Sequence, residues 1–92
     1  MSKYTKELLQ YAKASAIFEY AVNNYLRDKQ NQQLREEVVA NYRYLLDTAF
    51  PKIETLYKNN PDNLNAIDVY EIAYRDLMQM QILFNRLEFV KD

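Results

Sequence analysis

The sequence predicts an all-α fold, an elongated antiparallel three-helix bundle, and three observations carry that expectation. The 92 residues include no Gly and only two Pro, so the residues that ordinarily punctuate tight turns are nearly missing. Apolar side chains recur at steps of three and four over long stretches, whereas strand-like alternation bounded by turn residues occurs nowhere. Hydrophobic residues make up 49% of the chain and charged residues 27%, which suits one core and leaves no room for a second. Residues 1–92 are therefore read as a single domain.

The first helix is expected from about Lys3 to Arg27, where Tyr4, Leu8, Tyr11, Ser15, Phe18, Val22 and Tyr25 form one stripe. Arg27 to Gln33, "RDKQNQQ", is polar throughout and marks a turn, although no residue in it forces the helix to stop. A second helix follows from about Gln32 to Lys58, with Leu34, Val38, Tyr42, Leu45, Ala49, Ile53 and Leu56 in one broad arc and Glu36, Arg43, Asp47, Glu54 and Lys58 opposite. Pro51 falls inside it, where the ring removes a backbone donor and clashes with the carbonyl of Asp47. Because the apolar arc keeps its phase across Pro51, the expectation is a kink. The alternative is a break that would make four helices.

"KNNPDN", Lys58 to Asn63, is the strong loop signal, since Asn59 and Asn60 tolerate turn conformations and Pro61 biases Asn60 away from helix. Asp62 or Asn63 is placed to cap the third helix, with Asn65 and Asp68 as a second possible start. That helix runs from about Leu64 to near Val90. Each helix then has about 25 residues and a length of about 40 Å.

Composition removes several function classes. Without Gly there is no Walker loop, dinucleotide-binding turn or nucleophile elbow. Without His or Cys there is no imidazole base, thiolate nucleophile or thiolate metal site. Glu36 and Glu37 are adjacent, so they diverge on a helix surface, and the carboxylate–histidine pattern of di-metal bundles has no counterpart. Ser15, within the first stripe, has no base to activate it; a small residue at a close helix approach, its hydroxyl bonding back to the preceding turn, is expected. No catalytic, cofactor-binding or metal-ligating residue is expected, and the chain is read as no enzyme.

Twelve Lys and Arg against thirteen Asp and Glu steer toward neither nucleic acid nor an anionic membrane. Charge is nonetheless uneven: residues 1–30 hold five basic and three acidic side chains, residues 61–92 three and six. Lys3, Lys6, Lys13, Arg27 and Lys29 support an alternative reading as a nucleic-acid-binding protein through the first helix. Charged residues interrupt the first twenty positions and every apolar run, so neither a signal peptide nor a membrane span is expected, and the cytoplasm is the default location.

The informative feature is a surplus of apolar surface. On the third helix Ala66, Val69, Tyr70, Ala73, Leu77, Met80, Phe84 and Leu87 share the core face. From Met78 onward a second line appears at Met78, Ile82 and Phe89, flanked by Ile72, Leu83 and Val90. The first helix has a milder second line at Leu9, Ala16 and Tyr20. A small bundle cannot bury both sides of two helices, and contiguous exposed apolar patches mark interaction sites. The expectation is a protein–protein interaction module, an adaptor, inhibitor, immunity factor or chaperone. It would dock through Met78, Ile82, Phe89, Leu83, Val90, Ile72, Leu9 and Tyr20, with a homodimer as the simplest way to cover them.

One stretch, "LYKNNPDNLNAIDVYEIAYRDL" from Leu56 to Leu77, resembles the junction between tetratricopeptide repeats, with Pro61 as the turn proline. The resemblance implies that Tyr74 is an inward-facing aromatic. It covers 22 of the 92 residues, lacks the repeat's Gly and has no second copy at a period of about 34, so generic helix–turn–helix packing is the reading taken.

Overall fold

The computed structural model describes residues 4–89, in which helices are joined by short turns. Helix α1 spans Thr5–Arg27, α2 Gln32–Tyr44, α3 Phe50–Asn59 and α4 Leu64–Arg86. Between α2 and α3 the backbone stays helical through a π-helical turn, Leu45–Ala49, so the two form one rod. The fold is thus an antiparallel bundle of three rods, drawn out to 47 × 24 × 16 Å. Its radius of gyration is 14.6 Å, against about 12 Å for a compact chain of this length.

Asparagines define the turns. Asn31 accepts from the Leu34 amide at 3.2 Å and starts α2. Its own amide donates to the Asp28 carbonyl at 3.0 Å, closing the turn after α1. The Asn60 side chain donates to the Leu56 carbonyl at 2.9 Å at the end of α3, while Asn63 accepts from Asn65 and Ala66 to start α4. Of the two starts the sequence offers for the third rod, Asn63 is the one used.

At Pro51 the distortion takes a specific form. The Phe50 amide reaches back five residues to the Leu45 carbonyl, and the wider turn accommodates a ring that an α-helical turn would drive into the Asp47 carbonyl. One residue more per turn also sets back the helical phase. Phe50, at the edge of the arc read from the sequence, is buried and packs edge-on to Tyr11 with ring centroids 6.2 Å apart.

The core joins all three rods through aromatic rings. Phe18 of α1, fully buried, lies 5.6 Å from Tyr42 of α2 and 6.4 Å from Phe84 of α4, and Tyr42 stacks on Phe84 at 3.9 Å. Val22, Val38, Leu45, Ile53, Ala66 and Ala73 fill the space around them. The inward stripes of the first and third rods are those the sequence periodicity marks.

Candidate interaction surface

The eight positions singled out from the sequence separate into three groups. Met78 and Ile82 of α4 are exposed, at 37% and 53%, and Ile72 is exposed on the same helix. On α1, Leu9 at 63% and Tyr20 at 68% are more open still, and Ala16 and Ile17 are exposed beside them. These are large apolar side chains in contact with water while the core is already closed, the condition under which association becomes favourable.

The outward direction of Phe89 is corrected: it and Leu83 are half-buried against the core. Projecting a continuous helix to Val90 sends Phe89 outward, but α4 ends at Arg86 and Glu88 adopts a positive φ of 58°. A residue without glycine's freedom pays about 1–2 kcal/mol for that conformation. The resulting reversal lays Phe89 back on the bundle, 5.0 Å from Tyr25 and 5.7 Å from Phe84, both edge-on. The Arg35 guanidinium covers the ring at 4.8 Å and donates to the Phe89 carbonyl at 3.3 Å. Val90 lies outside the described residues.

Tyr74 is also corrected. The repeat resemblance implies an inward ring; here Tyr74 is exposed, at the outer end of a series running from Tyr57 through Tyr70. Burial, followed by the charge of Glu54, raises the Tyr70 phenol above its ordinary value.

Two concavities flank the exposed face of α1. Between α1 and the rod of α2 and α3 lies a groove of about 510 Å³, over the π-helical turn, with Ile17 and Tyr44 exposed at its margins and Lys13 and Lys52 on opposite walls. One carboxylate oxygen of Glu7 is buried in its lining without a hydrogen bond to any described group. Between α1 and α4 is a smaller cleft of about 170 Å³, where Ala12, Ala16 and Glu19 of α1 meet Ile72 and Asp76 of α4. This cleft brings Ile72 beside the α1 face, because Leu9, Ala12, Ala16 and Tyr20 succeed one another at helical spacing. Met78 and Ile82 do not line it.

The floor of the cleft holds polar groups that periodicity alone did not reveal. Ser15, buried, donates its hydroxyl to the Asp76 carboxylate at 2.6 Å, a tie between α1 and α4 rather than a bond to its own helix. The hydroxyl proton of Ser15 is thereby committed to Asp76. Next to it Tyr11 is only 2% exposed. Burial, and after it the Asp76 charge, hold its phenol far above the ordinary range. A hydrogen bond from the phenol to the Asp76 carboxylate acts in the same direction.

The basic positions of the alternative reading, Lys6, Lys13, Arg27 and Lys29, are all exposed, and Lys3 lies outside the described residues. Among the described residues no helix is long and apolar enough to cross a membrane, and no group of three or more metal-ligating side chains gathers in one place. No protein-family model matches the chain, and no curated protein or solved structure is similar to it, so its function has to be read from this surface.

Proposed function

We propose that this chain is a small non-enzymatic interaction module of the cytoplasm, an adaptor, inhibitor, immunity factor or chaperone, that docks the outward faces of α1 and α4 on another protein. One observation carries the reading. Leu9, Tyr20, Ile72, Met78 and Ile82 remain substantially exposed although the bundle has a complete aromatic core. Scattered single apolar residues need no explanation, but two lines of them on two helices of so small a domain do. Tyr20 has the character of an interface anchor, a large ring with a polar tip and few rotatable bonds. Association of two copies through these faces is the simplest cover, since a twofold interface uses one patch twice.

Paired charge-introducing variants map the face. Leu9→Glu with Tyr20→Glu tests α1, and Met78→Glu with Ile82→Glu tests α4, each measured by partner capture and by the mass of the purified protein. Loss in either pair at unchanged melting temperature supports the reading and shows which helix docks. Unchanged capture and mass in both pairs would overturn it.

A further inference from the structure

We propose that the protein partner is a second copy of this chain, packed antiparallel through the outward faces of α1 and α4 about a twofold axis level with Ala16 and Leu77. The inference rests on the interaction reading above and names the partner that reading leaves open. A twofold interface has to be self-complementary, so each side chain on one side of the axis must suit the one equally far on the other. The two helices, with unrelated sequences, meet that requirement separately.

On α1 the exposed line runs through Leu9, Ala12, Lys13, Ala16 and Tyr20. Residues spaced i, i+3, i+4 and i+7 enclose a hole on a helix surface, and Leu9, Ala12, Lys13 and Ala16 have that spacing. Two of the four are alanines, so the hole is open to a large side chain. Tyr20, the most exposed large apolar side chain of the helix, lies as far beyond Ala16 as Ala12 lies before it. An axis at Ala16 therefore seats Tyr20 of each copy in the hole of the other, beside Leu9 and the stem of Lys13, with alanine against alanine where the helices come closest.

Helix α4 gives the same axis. The first and third rods run in the same direction, and the Ser15–Asp76 bond, with the cleft that joins Ala12 and Ala16 to Ile72 and Asp76, sets Ala16 level with Leu77. Ile72 and Ile82, both exposed, stand five residues to either side of Leu77. Asp68 and Arg86, also exposed, stand nine residues to either side and share one angular position, because the eighteen residues between them make five whole turns. An antiparallel second copy thus lays Ile72 on Ile82 and Asp68 opposite Arg86, each pair occurring twice, with Met78 at the centre. Lys6 and Arg27 of α1 approach each other only at the ends of the face, where solvent screens them. Area agrees as well: two helices of 23 residues, each about 34 Å long and about 10 Å across, present about 700 Å². That lies within the roughly 600–1,000 Å² per partner of a stable interface.

The chain has no Cys, so introduced cysteines read the register without interference. Ile72→Cys/Ile82→Cys places its two sulfurs about 15 Å apart within one copy, too far for a disulfide, but opposite each other between copies. Mild oxidation is expected to give a covalent dimer with the double variant and with neither single one, whose matching cysteines sit about 15 Å apart across the axis. Sedimentation equilibrium of the uncrosslinked chain should show a dimer whose dissociation constant rises about thirtyfold in Tyr20→Ala. It should rise about tenfold in Asp68→Arg and return near the parent value in Asp68→Arg/Arg86→Asp. All five positions are exposed, so the variants should keep the parent's melting temperature. Covalent dimer from either single cysteine, a charge-swapped double that binds no better than Asp68→Arg, or an unchanged constant in Tyr20→Ala would overturn the proposal. So would a chain that stays monomeric; if it still captures a different protein and loses it in Leu9→Glu/Tyr20→Glu, the second copy is wrong and the interaction reading stands.

Discussion

Replacing Phe89 by Ala separates the observed C-terminal reversal from a straight continuation of α4. Phe89 makes edge-on contacts with Tyr25 and Phe84, and Arg35 sits over its ring. Each aromatic pair is worth about 0.5–1.5 kcal/mol beyond area burial, and the cation–π contact about 0.5–1 kcal/mol. These terms share one ring and do not simply add. A fully buried Phe→Ala costs about 3–5 kcal/mol, so a half-buried ring with these contacts should cost about 2 kcal/mol. For a domain of this size that lowers the melting temperature by about 8–16 °C, readily followed by circular dichroism at 222 nm. Ile82→Ala is the control, because an exposed side chain with no such partners should stay within about 0.5 kcal/mol. A Phe89→Ala melting temperature within about 2 °C of the parent would refute the reasoning and return Phe89 to the outward face.

Three further outcomes follow from the packing. Phe18→Ala, at the junction of all three rods, should cost about 3–5 kcal/mol in urea unfolding, the largest loss of any single aromatic truncation here. Asn63→Ala removes the acceptor for the Asn65 and Ala66 amides and should cost about 1 kcal/mol, with the loss of amide protection confined to the first turn of α4. The Tyr11 phenol is raised by burial and by Asp76, so the folded state holds its proton after the unfolded chain has begun to lose it near pH 10. Stability is then fully present below about pH 10 and falls as pH rises further; Tyr11→Phe should make that alkaline decline shallower, while Tyr42 and Tyr70, also raised, preserve part of it.

Most of the fold is legible in the sequence because helical periodicity is a one-dimensional signal. Tyr11, Phe18 and Val22 on α1, and Ala66, Val69, Ala73, Leu77 and Met80 on α4, are buried where spacing puts them. What escapes is whatever changes the phase or crosses between rods. Phe50, four residues after Leu46 and three before Ile53, stands at the edge of the apolar arc and is buried directly after the π-helical turn, a turn that a uniform 100° step per residue does not contain. Glu88 reverses the chain at a positive φ with no Gly to announce it, which misdirected Phe89. The bond from Ser15 to Asp76 joins residues 61 apart, and no local pattern specifies it. Asn31 did carry a readable signal, a capping residue three before Leu34, hidden within a uniformly polar run. Leu9, Tyr20, Ile72, Met78 and Ile82 were legible because exposure is the complement of the stripe.

The central claim, that these exposed apolar side chains serve association and not packing, is tested most directly by sedimentation equilibrium on the parent chain and on Met78→Glu/Ile82→Glu, with and without captured partner. The account predicts that the charged variant folds with a melting temperature near the parent's but loses the higher-mass species, whether a second copy or a partner. A variant that keeps the parent's mass and partner, or one that fails to fold, would contradict it.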